Sequence, residues 1–144
     1  MLIGEYTHAL DEKNRLSLPA KFRSELGKNV VVTPGLDGCL FIFTPKQWEE
    51  ISEKLTSSSM LQSDARSFNR YMLGGAVEAE VDGVGRVLIP DFLRTRAGLT
   101  DKVAIVGVKS RVELWNETMW LQNKRAVEKQ ADTLAEKLGQ VGVL

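Results

Sequence analysis

LDEKNRLSLP, residues 10–19, and VDGVGRVLIP, residues 81–90, follow one pattern: apolar residue, Asp, three spacers, Arg, apolar, any residue, apolar, Pro. The flanking residues extend the likeness. Setting Asp11 on Asp82 brings Gly4 onto Gly75, Leu10 onto Val81, Arg15 onto Arg86, Pro19 onto Pro90, Arg23 onto Arg94 and Gly27 onto Gly98. One extra residue in the second copy then aligns Ile42 with Leu114, Phe43 with Trp115 and Trp48 with Trp120. The chain reads as a tandem duplication with its seam near Gly74–Gly75, giving repeats 1–74 and 75–144.

Each copy has the same predicted order of elements. Residues 4–10 and 75–81 lead into the turn as extended segments. Leu16-Ser17-Leu18 and Val87-Leu88-Ile89 leave it as strands with alternate apolar residues. Pro19 and Pro90 end those strands and suit the start of a short helix, for which Gly27 and Gly98 supply C-terminal positions with φ > 0. Strands over 30–33 and 103–108, and again over 39–43 and 111–115, come next. Thr44-Pro45-Lys46-Gln47 is a capping box with Pro at the first helical position, and Asn116-Glu117 is a second cap. Ser57–Ser59 is a loop, and Asp64 opens a helix with Phe68, Tyr71 and Met72 on one face. Trp120, Val127, Ala131, Leu134 and Leu138 mark an amphipathic C-terminal helix, expected to pack on its own domain, with a loose tail from Gly139.

Three residues separate Asp from Arg in both copies, as in a hairpin loop made of a type I turn plus one left-handed residue. The left-handed position falls on Asn14 and on Gly85, the two residue types that tolerate it best. Asp11 and Asp82 then sit where a short carboxylate accepts loop N–H groups, and Arg15 and Arg86 begin the outgoing strands. Two readings of the pair stay open on the residues alone. An Asp–Arg pair across a hairpin base can be structural, and when exposed it adds little stability. Alternatively, Arg is a planar fork that matches phosphate or the guanine O6/N7 edge, and an adjacent Asp fixes the direction of that fork. Lys13 adds charge in the first loop, and the Gly-rich second loop lets backbone approach a ligand closely.

Composition narrows the partners without choosing one. Nineteen Lys and Arg balance nineteen Asp and Glu, which argues against a protein that coats nucleic acid by bulk charge. No apolar run is long enough to span a bilayer, the start MLIGEYTH lacks the features of a signal peptide, and one cysteine, Cys39, fits a reducing compartment. A cytoplasmic location is the expectation. His8, in a strand, and Cys39, in a core position, make neither a metal site nor a nucleophile–base pair. Glu49, Glu50 and Glu53 form a solvated helix face with Lys46 and Lys54. There is no P-loop and no dinucleotide fingerprint, so no enzymatic activity, cofactor or metal is expected.

Two D-x-x-x-R motifs half a chain apart, together with GEYTHALDEKNRLSLPAKFR, GAVEAEVDGVGRVLIP and RVELWNETMW, resemble the MraZ family of bacterial transcription regulators. The resemblance covers essentially the whole chain. It implies an α+β fold, a tandem duplicated AbrB-like swapped-hairpin β-barrel with peripheral helices. It further implies a ring-shaped homo-oligomer, with an octamer as the expected size, that associates with the nucleoid. Such a regulator binds repeated elements of double-stranded DNA in the promoter of its own division and cell-wall gene cluster, most often as a repressor. Carried over residue by residue, the DNA-binding set is Arg15 and Arg86 with Lys13, Asn14 and Gly85, and Asp11 and Asp82 orient the arginines. Asn14 departs from the Gly that commonly precedes the first motif Arg in the family. A neutral subunit can still bind DNA if a ring presents many loops, since each contact raises the effective concentration of the next. An AbrB-type scaffold that grips protein instead of DNA is the alternative.

Overall fold

The computed structural model describes residues 1–143; Leu144, the end of the repeat expected over 75–144, lies outside them. Eight strands and five helices follow one another along these residues: β1 (Leu2–Ala9), β2 (Arg15–Ser17), α1 (Ala20–Leu26), β3 (Asn29–Pro34), β4 (Leu40–Phe43), α2 (Pro45–Thr56), α3 (Ser63–Gly74), β5 (Val77–Glu80), β6 (Arg86–Leu88), α4 (Asp91–Ala97), β7 (Lys102–Lys109), β8 (Val112–Asn116) and α5 (Glu117–Gln140). The fold is α+β, and every strand pairing is antiparallel.

Six strands form one sheet in the order β1-β7-β8-β4-β3-β5, and β2 and β6 form a separate ribbon. The halves of the chain interleave throughout. β1 pairs with β7 from Leu2↔Lys109 to Ala9↔Lys102, β3 pairs with β5, and β4 pairs with β8. In the ribbon Arg15 faces Leu88, Leu16 faces Val87 and Ser17 faces Arg86. The turns therefore differ from the hairpins read in the sequence. Asp11 N–H donates to the Arg15 carbonyl at 2.9 Å and Asn14 N–H to the Asp11 carbonyl at 3.0 Å, which closes the turn. Beyond that point β1 and β2 separate, because each finds its ladder partner in the other half of the chain.

Period-two alternation places two cores on the two faces of the large sheet. Leu40 and Ile42 of β4 and Val103 and Ile105 of β7 join the first core, where the ribbon's Leu16 and Val87 and the helix residues Phe22 and Leu93 also lie. Phe41, Phe43, Ala104, Val106 and Trp115 point to the second, under Trp48, Ile51, Leu55, Tyr71 and Trp120. The ribbon is thus fixed from below by buried side chains at its middle positions, while its alternate positions face outward.

The caps follow the sequence closely. Thr44 accepts from Gln47 N–H and the Gln47 side chain accepts from Thr44 N–H, both at 3.1 Å. Asn116 caps α5 through Met119 N–H, and Gly27 and Gly98 hold positive φ. α3 starts at Ser63 after Gln62, which gives no side-chain cap, so Asp64 stands inside the first turn and does not open the helix. α5 continues through Gln140, past the position read as a loose tail. Its first turns pack: Trp120 lies 5.4 Å from Trp115, its Nε1–H donates to Glu5 at 2.6 Å, and Lys124 pairs with the same carboxylate. From Arg125 to Val143 every residue is exposed, so the expectation that the whole helix packs on its own domain holds only for its start. Among the described residues no helix is long and apolar enough to cross a membrane.

Candidate nucleic-acid interface

The two turns are built alike, bond for bond. Asp11 Oδ1 accepts from the backbone N–H of Lys13 and of Arg15, each at 2.9 Å, and its Oδ2 accepts from Arg15 Nε–H at 2.8 Å. Asp82 Oδ1 accepts from Val84 N–H at 3.1 Å and Arg86 N–H at 2.8 Å, and its Oδ2 from Arg86 Nε–H at 2.8 Å. The left-handed residues are Asn14, with φ 62°, and Gly85, with φ 86°. Backbone N–H groups aimed at a carboxylate favour its ionised form, and the paired arginine adds to this. Both Asp11 and Asp82 are accordingly held below the ordinary carboxylate range, first by the Arg15 and Arg86 backbone N–H groups.

Each guanidinium is held through Nε, and among the described residues neither Arg15 nor Arg86 uses a terminal nitrogen in a hydrogen bond. The fork of each arginine is therefore oriented from its Nε edge. The two sites also meet. Arg86 Nη1 lies 3.8 Å from Asp11 Oδ2, the oxygen that already holds Arg15. Leu18 N–H donates to the Gly85 carbonyl at 2.9 Å and Ile89 N–H to the Asn14 carbonyl at 3.2 Å, so each turn is bonded to the strand that leaves the other. Arg15, Ser17, Arg86 and the 55% exposed Leu88 share the outward face of the ribbon, with Leu16 and Val87 facing the core. Lys13 and Glu12 stand exposed at one tip and Gly83 and Val84 at the other.

Two residues at this face escape a reading of the motifs alone. Arg23, in α1, donates Nη1–H to the Val84 carbonyl at 3.0 Å and lies over Gly85, where an added Cβ would stand 2.6 Å from its Cζ. Gly85 is thereby buried under a side chain. His8 Nδ1 lies 2.5 Å from the Ser17 carbonyl and ties β1 to the ribbon. The repeat did align Arg23 with Arg94, but their different partners appear only in three dimensions. Cys39 is buried, and desolvation pushes its thiol up to about 12, which makes it a poor nucleophile. Among the described residues no three His, Cys, Asp or Glu side chains are grouped to hold a metal ion.

The geometry defines a class: a strand-exchanged α+β protein that presents two carboxylate-oriented arginines on one exposed ribbon. A family model described as MraZ protein, antitoxin-like, matches residues 1–71 and again residues 72–139. The chain is 45% identical over 143 residues to a protein of Caldicellulosiruptor bescii named transcriptional regulator MraZ, covering 99% of this chain and all (100%) of that one. Proteins of the same name from Caldanaerobacter subterraneus subsp. tengcongensis, 43% identical over 99% of this chain and 100% of that one, and from Moorella thermoacetica, 45% identical over 96% of each, are similar along their length. The chain belongs to the MraZ family, whose relatives bear the name of a regulator and not of an enzyme.

Proposed function

We propose that this protein is a sequence-specific DNA-binding transcription regulator that reads duplex DNA with the outward face of the β2–β6 ribbon. One observation carries the reading: Arg15 and Arg86 lie on the same exposed face, each fixed through Nε by an aspartate, with no hydrogen bond at its terminal nitrogens among the described residues. A two-stranded ribbon fits the major groove of B-DNA, and an oriented guanidinium suits the guanine O6/N7 pair. In this reading Lys13 adds a phosphate contact at the exposed tip, Asn14 and Gly85 set the loop shape that brings the turn to DNA, and Asp11 and Asp82 orient the arginines. The strand exchanges β1–β7, β2–β6 and β3–β5 support a description as two swapped-hairpin repeats, 1–74 and 75–144, closed into an AbrB-type barrel.

The ribbon face is not strongly basic, since Asp11, Glu12 and Asp82 stand beside Lys13, Arg15 and Arg86. Affinity then depends on many subunits binding at once, which supports a ring-shaped homo-oligomer on spaced promoter repeats of its own division and cell-wall genes, in the nucleoid, acting as a repressor. The exposed apolar stripe of α5, with Val127, Leu134 and Leu138, favours protein contact and supports self-assembly. The same stripe also suits the scaffold reading, in which the ribbon has no DNA partner. Fluorescence anisotropy with the DNA preceding the protein's own gene separates the two. A salt-sensitive complex that weakens with Arg15→Ala and Arg86→Ala supports the regulator, and no salt-sensitive complex supports the scaffold.

A further inference from the structure

The pseudo-equivalent arginines Arg23 and Arg94 do different things. Arg23 reaches across the repeat boundary to the second turn, where Nη1 donates to the Val84 carbonyl at 3.0 Å. Its Nε is buried and has no partner among the described residues, although a buried N–H without an acceptor is unfavourable. An apolar side chain could fill the same space without that cost, so packing alone does not explain an arginine here. Arg94 does not make the matching reach to the first turn. Its Nε–H donates to Ile89 O at 3.2 Å, and its Nη2 pairs with Asp91, at the start of its own helix. The Cβ that Asn14 carries and Gly85 lacks accounts for the difference, because Arg23 occupies the place a Cβ on Gly85 would take.

We infer that Arg23 is a positioning residue for Arg86: it clamps the Val84–Gly85 backbone from outside the second turn, whereas among the described residues the first turn has no such clamp. A loop held before binding gives up less freedom on binding. Arg86 therefore meets DNA already ordered, while Arg15 keeps more freedom to adjust, and the two ends of a nearly symmetric ribbon are unequal readers. This rests on the ribbon being the DNA-binding face.

The test compares wild type, Arg23→Ala, Gly85→Ala, Arg86→Ala and the Arg23→Ala/Arg86→Ala double variant. The probe is the DNA preceding the protein's own gene, titrated at several salt concentrations, with thermal melts to establish folding. Gly85→Ala keeps the charge of Arg23 but displaces its guanidinium from the turn, and also strains the left-handed backbone at φ 86°, which Arg23→Ala does not. Arg23→Ala and Gly85→Ala are each expected to weaken binding about three- to tenfold, with no further loss from Arg23→Ala once Arg86 is gone. Amide relaxation in the free protein is expected to show Arg23→Ala loosening 83–85 but not 12–14. Additive losses, with the salt slope reduced by about one contact in the Arg86→Ala background, would make Arg23 a DNA contact and overturn the positioning role. Wild-type binding by Arg23→Ala alongside weakened Arg86→Ala would overturn it too, while leaving the DNA reading intact. If Arg86→Ala itself binds normally, the DNA reading fails, and unchanged relaxation at 83–85 then rejects the clamp independently.

Discussion

At the residue scale, the turns work because one carboxylate satisfies three donors. Oδ1 of Asp11 or Asp82 closes the loop backbone and Oδ2 fixes the arginine, so loop shape and arginine direction depend on the same charge. Their folded pKa values lie below the ordinary 3.8. The resulting stabilisation is fully present above that unfolded value and is lost as pH falls through the lower folded value. A carboxyl NMR titration should therefore place both midpoints below 3.8, with the Lys13 and Arg15 amide shifts moving in step; midpoints at or above 3.8 contradict the network. Asn14, at φ 62°, carries a side chain where the backbone is left-handed. Asn14→Ala should cost about 1 kcal/mol in denaturant unfolding and Asn14→Gly should be close to neutral. That position was legible in the sequence because few residue types accept it. Arg23 was not, because its acceptor lies 61 residues away across the repeat boundary, and a motif describes only its own turn.

At the element scale, the ribbon and α5 illustrate two limits of reading periodicity. Alternation in 16–18 and 87–89 correctly assigns Leu16 and Val87 to the core and their neighbours to the outer face. It does not say which strand is the partner, and both strands pair across the repeats instead of within a hairpin. Leu16 is fully buried beneath both arginine-bearing strands, so Leu16→Ala should destabilise the protein by about 3 kcal/mol in chemical denaturation. The spacing of Val127, Leu134 and Leu138 correctly marks an amphipathic helix, but not what meets its apolar side. Contacts with the sheet end near Lys124, leaving Arg125 to Val143 exposed. On the self-assembly proposed for this stripe, Leu134→Lys/Leu138→Lys should leave the melting temperature nearly unchanged and lower the mass measured by light scattering. Loss of folding would instead place those residues in the subunit's own core.

At the scale of the whole molecule, the duplication yields one interlocked body. β1–β7, β2–β6, β3–β5 and β4–β8 all join the N-terminal half to the C-terminal half, and the first core draws on both. Such a chain should unfold in a single transition with matching calorimetric and van't Hoff enthalpies, and two separated transitions would contradict this. The repeat was visible as matched residues at an offset that changes by one residue along the copy; the interleaving was not, because pairing between distant strands leaves no local pattern. The same interleaving brings Arg15 and Arg86 from opposite halves onto one ribbon. Their joint role is tested most directly by measuring affinity for the DNA preceding the protein's own gene, against salt, for wild type, Arg15→Ala and Arg86→Ala. The expected result is a salt-dependent complex weakened about ten- to a hundredfold by either substitution, with melting temperature and solution mass as in wild type. Wild-type affinity in both variants, or a complex indifferent to salt, would contradict the assignment of the ribbon as the DNA-reading face.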